Sequence, residues 1–470
     1  MKLEVNWNLP IKIEHEIHKI QYQQEKDGWQ FDVDKAVEFC TYLETKRKDI
    51  YDSIRPHLCK VVQVKYKLPI SKPFKKTGGY TKSVIDWYGN VDEDYIGGPF
   101  SRVEFVEPNL DSDQQLKDQL LRIGWKPTQW NFKKEGKRVV YGPDNKPIKT
   151  SPKITEDSFD SLSEGIGPSI KTFLIYGHRL SQITGFLRNV RPDGTIQAKA
   201  NPCGTPTARY THSVVVNVPK ADPKVVFGKE VRSLFIARPG RVLVGGDASG
   251  LEARVGSHWT YKLDGGQYAN DVLNGDWHSK NVKQVYYVEE TKDLDTHSPT
   301  FGSYRSRGKN GSYALMYGAQ PPKLAETLGI PVSKAKKIWD LFWEINIGLG
   351  KLKARLEWYY RNHGYIVAID GRKIYVRKES DLINYLFQST GAIIMKVAKI
   401  ILVSWIKRYN LDAIIVGDFH DEFQLDCHPD DAHKVGALIV RAIRNAGEFF
   451  ELAVPLDGEY KIGKNWAETH

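Results

Sequence analysis

Two acidic residues and one basic, aromatic stripe carry the chemistry in this sequence. Asp247 ends the apolar run Val242-Leu-Val-Gly-Gly, and Asp421 lies in His420-Asp421-Glu422 between two apolar arms, Ala413–Val416 and Phe423–Cys427. Each reads as a carboxylate delivered by the end of a strand. Two such carboxylates suit two-metal phosphoryl transfer, in which anionic oxygens bridge cations about 3.5–4 Å apart, one activating the attacking oxygen and one steadying the leaving oxygen. Magnesium fits because it prefers oxygen ligands and keeps waters and substrate phosphates in its shell. Arg305, Lys309, Tyr313 and Tyr317 recur at intervals of four; on a helix they form a stripe about 18 Å long. That ladder could hold a triphosphate, a sugar and a base in sequence. Arg305 would take the terminal phosphate, and Lys309 would neutralise developing charge and protonate the departing pyrophosphate. A basic helix face with two tyrosines packed inward is the alternative for this stretch alone.

Several elements must place these groups. A helix is expected just beyond Asp247, where Ser249 and Glu252 stand three apart in capping-box spacing. Ser303 is positioned to cap the stripe helix, so the positive end of its dipole would lie beside Arg305 and Lys309. Asp421 is expected at a hairpin tip, with a turn at Gly417-Asp418 as the competing register. The β-branched stretch Asn201–Pro219 is expected to open the sheet that receives the Asp247 strand. Upstream, the pattern gives an amphipathic helix, a turn at Gly28, a strand-like Trp29–Val33, and a second helix through Lys46 to Ile54. Helix and turn follow from Leu110 to Trp130, an exposed hairpin or linker from Asn131 to Thr150, and a helical pair from Ser158 to Phe186. Downstream come a helical pair from Lys334 to Asn362, a hairpin from Tyr365 to Val376 turning at Asp370-Gly371, and a helix from Leu382 to Arg408. Asn384 and Gln388 share one face of that helix. His278, alone in the loop Asn274–Lys280, carries no chemistry by itself.

The chain has 470 residues, enough for two to four domains with real cores. Its net charge of +11 favours a polyanionic partner. The most apolar run, Gly391–Ile406, contains Lys396 and Lys399 and falls short of the ~20 apolar residues a membrane span requires, so it reads as a buried helix. Cys40, Cys59, Cys203 and Cys427 are scattered without a CxxC pair, and the N-terminus lacks a signal-peptide core. A reducing interior is expected, with neither a structural zinc site nor secretion. From Cys59 to Pro99, lysines interleave with Tyr66, Phe74, Tyr80 and Trp87 among prolines and glycines. This reads as an inserted excursion, either a solvated basic loop or a surface for nucleic acid or a partner.

Asp247-Ala-Ser-Gly-Leu-Glu252, then Arg305-x3-Lys309-x3-Tyr313-x3-Tyr317-Gly318, then His420-Asp421-Glu422, in this order, resemble the three polymerase motifs of family A DNA polymerases, the DNA polymerase I superfamily. The resemblance covers nearly the whole chain and is closest to the short replicative polymerases of podophage-type bacteriophages. It implies an α+β right-hand polymerase fold, with an antiparallel-sheet palm, helical fingers and a helical thumb, and without an exonuclease domain. Residues 1–198 would form the N-terminal region and thumb, with the basic insertion at about 59–99. Residues 199–262 would form the first part of the palm, 263–362 the fingers and 363–470 the second part of the palm. The implied activity is template-directed addition of deoxynucleotides to a primer 3′ end with two magnesium ions, manganese being able to substitute. The implied setting is phage genome replication in the cytoplasm of a bacterial host, by a monomeric polymerase chain.

On this resemblance Asp247, Asp421 and the Ala248 carbonyl hold the metals, and Glu422 supports them nearby. His278, Arg305 and Lys309 contact the triphosphate, while Tyr313 and Tyr317 stack by the sugar and base. Glu252 presses against Tyr317 as a gate that excludes a ribose 2′-hydroxyl. Arg209, Asn217, Asn384, Gln388 and His420 contact primer-template DNA in the minor groove and at the primer end. The partners implied are primer-template DNA and deoxynucleoside triphosphates, with a processivity factor or a separate exonuclease subunit as candidates. The basic insertion lies where some phage relatives dock a processivity factor.

The departures are specific. Gly308 and Gly311 lie inside the stripe helix, where each costs about 1 kcal/mol relative to Ala, so a soft helix is expected. Ala208 precedes Arg209 where the family usually has Gly. The chain begins where the family's polymerase domain begins, and no Asp-x-Glu triplet occurs upstream of Asp247 to start a proofreading site; Asp457-Gly-Glu459 is too near the end to found one. Glu252, Tyr313 and Glu422 argue against a single-subunit RNA polymerase. Arg305 and Lys309 on one helix argue against a two-metal nuclease. A non-catalytic nucleic-acid-binding protein would explain the charge and leave Asp247 and Asp421 without a purpose.

Overall fold

The computed structural model describes residues 5–66, 74–88, 102–136, 138–143, 147–162, 164–285 and 304–470. Two compact units are present, one formed by residues 1–36 and 183–470 and the other by residues 37–182.

In the first unit, α1 (Asn8–Asp27) opens the chain and β1 (Val242–Ala248) is followed by α2 (Leu251–Asp264) and α3 (Trp277–Val285). Next come α4 (Tyr304–Met316), α5 (Val332–Ile345), α6 (Ile347–His363) and the long α7 (Leu382–Arg408). The hairpin β2 (Ala413–Phe419) and β3 (Glu422–Cys427), then α8 (Ala432–Phe449) and β4 (Gly458–Gly463), complete it. The four strands form one sheet in the order β2-β3-β1-β4 with antiparallel pairing throughout. Asn201–Pro219 does not open that sheet: its Ala200–Asn201 and Thr211–His212 pieces pair only with each other. The edge beside β1 is instead filled by β4, whose short alternating sequence gave no comparable signal.

Adjacent glycines explain how β1 can be central. A Cβ on Gly245 would lie 2.4 Å from the Thr469 carbonyl oxygen, and one on Gly246 would lie 2.4 Å from Ile439 on α8. Any side chain there would push the covering elements off the sheet. The hydrophobic cluster beneath includes Val244, Phe423, Leu425, Ile439 and Ile443, and it continues into α7 through Ile393, Ile394 and Leu402.

Glu379–Arg408 is apolar and long enough to cross a membrane by length and composition, yet 72% of its most apolar window is buried within the chain. Lys396 and Lys399, both 0% exposed, mark it as a core helix by the way they are neutralised. Lys396 Nζ lies 2.7 Å from Glu14 Oε1 of α1 and donates to the Pro202 carbonyl at 2.9 Å. Lys399 Nζ lies 2.8 Å from Asp418 Oδ2 of β2 and donates to Gln24 Oε1 at 2.9 Å. Each cation thus ties α7 to another element, and a buried charge of this kind is tolerated only when paired and hydrogen-bonded.

The hairpin between Tyr365 and Val376 forms with Ile366 opposite Ile374, and Gly371 at φ 91° makes its turn. The second unit has its own core, including Ile54, Leu116, Leu120, Trp125, Ile170 and Phe173. The expected second helix of the Ser158–Phe186 pair forms as Gly167–Leu187, whereas the first is a 3-10 segment at Glu156–Leu162. Within the basic stretch 59–99, residues 67–73 and 89–99 lie outside the described residues. The rest contains the strand Val61–Tyr66, paired with Arg102–Val106, and the helix Lys82–Tyr88.

Candidate active site

The register of three strands builds the acidic end of the sheet. Asp247 stands opposite Glu422 on one side and Glu459 on the other. The β2-β3 hairpin turns at His420-Asp421, with Phe419 opposite Glu422, so the competing turn at Gly417-Asp418 does not occur. A β-bulge between Ile415 and Gly417 helps aim the tip. His420 adopts φ 64°, the left-handed conformation such a tight turn needs. The Ala248 N–H donates to the Asp421 carbonyl at 3.0 Å, clamping the tip to the end of β1.

This arrangement crowds anionic groups. Burial, then the charges of Asp421, Glu422 and Glu459, push the Asp247 carboxyl up to about 7. Asp421, exposed at the tip, is also raised, by partial desolvation and by Glu422. Neither Asp247 nor Asp421 forms an ion pair with a cationic side chain among the described residues. Two adjacent oxygen donors without a cation fit a hard divalent metal ion. No cluster of three or more His, Cys, Asp or Glu side chains closes on a metal position among the described residues, so further ligands would be backbone, water or substrate oxygens.

Glu422 has a different environment. Its Oε1 accepts from Trp466 Nε1 at 2.5 Å and from Gln424 Nε2 at 2.7 Å, and its Oε2 lies 2.9 Å from His470 Nδ1. Burial alone would raise this carboxyl, but His470, Trp466 and Arg232 outweigh it and hold it below the ordinary value. Both oxygens of the Glu422 carboxylate are thus held by neighbouring side chains. Trp466 is itself sandwiched, with the Arg232 guanidinium 4.4 Å from its ring centre and Phe419 stacked at 4.7 Å. Trp466, His470 and Arg232 belong to no motif, and Glu459 stands in a triplet that founds no proofreading site; only the alternation of Glu459, Tyr460, Lys461 and Ile462 hints at a strand.

The stripe helix forms as α4, and its described part is continuous. Lys309 is exposed, with Nζ 6.0 Å from the centre of the Tyr313 ring; Tyr313 and Tyr317 stack at 6.0 Å, and His278 on α3 lies 5.4 Å from Tyr313. Burial, then the Glu252 charge, push the Tyr313 hydroxyl up to about 12. The Arg305 side chain and Ser303 lie outside the described residues. Gly308 is explained by contact, since a Cβ there would come within 2.1 Å of Val282 on α3.

Glu252 does not act in a capping box: Gly250 caps α2 without a side-chain hydrogen bond. Its carboxylate instead accepts the Tyr317 hydroxyl hydrogen bond. Burial raises Glu252 to about 7 despite the opposing charges of Arg209 and Lys309. One cleft of about 150 Å³ collects Arg209, Tyr210, Glu252, Tyr317, Gln388, His420 and Asp421. Burial, then Arg209 and His212, push the His420 imidazole down to about 4, so its ring is neutral near pH 7. Ala208, which precedes Arg209, sits at φ 58°, where glycine would be unstrained. Asn384 lies one turn before Gln388 on α7, outside the cleft lining, and its Oδ1 is buried without a hydrogen-bond partner. Asn217 is exposed at φ 52° and is likewise not part of the cleft lining.

Residues 102–468 match the family described as DNA polymerase family A. The chain is 25% identical to a DNA-directed DNA polymerase of Escherichia phage Phieco32, across 85% of this chain and 89% of that protein. It is 26% identical to the DNA-directed DNA polymerase of Enterobacteria phage T3, across 98% of this chain and 70% of that protein. For the Escherichia phage T7 enzyme the identity is 28%, across 80% of this chain and 55% of that protein. The POL domain of Pol1 from M. smegmatis, solved in complex with DNA primer-template and dNTP, superposes with a TM-score of 0.71 at 20% identity, over 97% of this chain and 70% of that one. At that identity the likeness is one of fold.

Proposed function

Because the chain belongs to DNA polymerase family A and is a DNA-directed DNA polymerase, we propose that it extends a primer 3′ end by phosphoryl transfer at the acidic tip where β1 meets the β2-β3 turn. The observation that carries this reading is the single cleft into which Glu252, Tyr317, Gln388, His420 and Asp421, from four separate stretches, converge.

Asp247, Asp421 and the Ala248 carbonyl would hold two magnesium or manganese ions, which when bound supply charge compensation at the primer hydroxyl and the substrate phosphates. Glu422, pinned by Trp466, Gln424 and His470, keeps its own charge in a constant place behind them. Lys309 and Arg305 meet the triphosphate with His278 beside them, and Lys309 Nζ delivers a proton to the departing pyrophosphate. Tyr313 and Tyr317 pack against the incoming sugar and base. The Glu252–Tyr317 hydrogen bond closes the side on which a ribose would carry its 2′-hydroxyl. A neutral His420 can hydrogen-bond at the primer end without adding charge, while Arg209 and Gln388 face the duplex and Asn384 extends that track along α7. Asn217, being exposed and outside the cleft lining, would meet DNA away from the reacting end.

The substrates would be primer-template DNA and deoxynucleoside triphosphates, and the setting phage genome replication in a bacterial cytoplasm. A separate exonuclease subunit is a candidate partner, and the segment around 59–99 is a candidate dock for a processivity factor. Primer extension with deoxynucleotides, ribonucleotides or neither tests the core of this reading. Extension with deoxynucleotides alone, abolished by Asp421→Asn with primer-template binding retained, is the expected result. Equal use of ribonucleotides would indicate an RNA polymerase, and primer shortening without nucleotides a nuclease.

A further inference from the structure

Outside the cleft, the end of α6 and the hairpin that follows it carry a cluster of four rings, of which His363 and Tyr375 are exposed and Tyr359 and Tyr365 half-buried. Tyr359 and His363, one turn apart on α6, are stacked with centroids 4.0 Å apart and planes inclined by 13°. Tyr365 meets both edge-on, at 6.1 Å and 6.0 Å, and Tyr375 meets Tyr365 at 6.2 Å. Lys373 Nζ lies 4.4 Å from the centre of the Tyr365 ring. This is no core seen from outside, because His363 is exposed and Tyr375 is 64% exposed.

The electrostatics select the partner. Arg355 precedes Tyr359 and His363 in the same fours-spaced row of α6, and Arg377 and Lys378 follow Tyr375. All three are exposed, and none pairs with a carboxylate among the described residues. The carboxylates of these segments are already engaged, Glu357 with Lys353 at 2.6 Å and Glu379 with Arg361 at 2.5 Å. The exposed rings of His363 and Tyr375, set among these cations, match single-stranded nucleic acid, whose unpaired bases stack while its phosphates seek positive charge. Duplex DNA hides its bases and could use only the cations.

We propose that this face is a stacking platform for the single-stranded template ahead of the point of synthesis. It rests on the polymerase reading and adds to it a second DNA-binding site, remote in sequence from all the cleft residues except those of the neighbouring α7. One base stacked on an aromatic ring tightens binding by roughly five- to a hundredfold.

The test compares binding of primer-templates with template overhangs of about two and about twelve nucleotides, the longer lying within the ~4–16 nucleotide span of single-strand sites. The parent chain should bind the long overhang at least about fivefold tighter. The double variant Tyr375→Ser with His363→Ala should bring that ratio close to one. Binding of the short overhang and its single-nucleotide extension should be unchanged, which separates loss of the platform from failure of the polymerase reading. Tyr375→Trp, with a larger ring at an exposed position, should raise the ratio. Tyr22→Ser, a change at an equally exposed tyrosine of α1, should leave it unaltered. A parental ratio of one, a ratio that survives the double variant, or a gain that persists after the overhang is made double-stranded would each overturn the proposal.

Discussion

Asp247→Asn should make the metal-free protein more stable while ending its activity. In the folded chain burial and three neighbouring carboxylates raise Asp247 from 3.8 to about 7. Between those two values the folded chain keeps a proton that the unfolded chain has lost, so this group's contribution to stability falls as pH rises and its full cost is felt above pH 7. At about 1.36 kcal/mol per pH unit the rise corresponds to about 4 kcal/mol. Asp247 is only partly buried, and solvent screening reduces the expected effect to about 1–3 kcal/mol. Urea unfolding of protein treated with EDTA should show that gain for Asp247→Asn at pH 8 and a much smaller one at pH 5, where the parental carboxyl is largely protonated. Added magnesium should stabilise the parent more than the variant, because binding to the folded state alone adds stability. A variant that is no more stable than its parent at pH 8, or whose gain is the same at both pH values, would refute the electrostatic account of the site.

Four further outcomes are expected. Tyr313→Phe should restore discrimination against dideoxynucleotides by ten- to a hundredfold in competitive primer extension, because a hydroxyl worth about 1–3 kcal/mol when left unpaired would no longer occupy the place of the missing 3′-hydroxyl; equal behaviour of the two enzymes would remove Tyr313 from the sugar pocket. Lys399→Met leaves Asp418 buried without its ion-pair partner, so unfolding should show a loss of about 3–5 kcal/mol, most of it recovered by adding Asp418→Leu. Ala208→Gly should stabilise the chain by about 0.5–1 kcal/mol, since relief of the left-handed conformation at φ 58° exceeds the entropy a glycine adds to the unfolded state. This polypeptide should release no mononucleotides from single-stranded DNA with magnesium; release that survives repurification and Asp421→Asn would reveal a nuclease site elsewhere in it.

Local sequence determined the elements that bear the chemistry. The apolar run into Asp247, the fours-spaced stripe to Tyr317 and the two arms around Asp421 each follow from spacing and side-chain type, which act over a few residues. The identity of the hairpin turn was not determined in this way, because Gly417-Asp418 and His420-Asp421 both suit a tight turn; pairing with β1 settles it by placing Asp247 opposite Glu422. Tertiary structure alone brought β4 beside β1, made Gly308 a contact with α3 and turned Glu252 from a cap into the partner of Tyr317. It also gave Glu422 its tether through Trp466 and His470, and neutralised two lysines in an apolar helix with Glu14 and Asp418. Periodicity records which face of an element is buried, but partners tens to hundreds of residues apart are chosen by packing and charge compensation, which leave no local pattern to read.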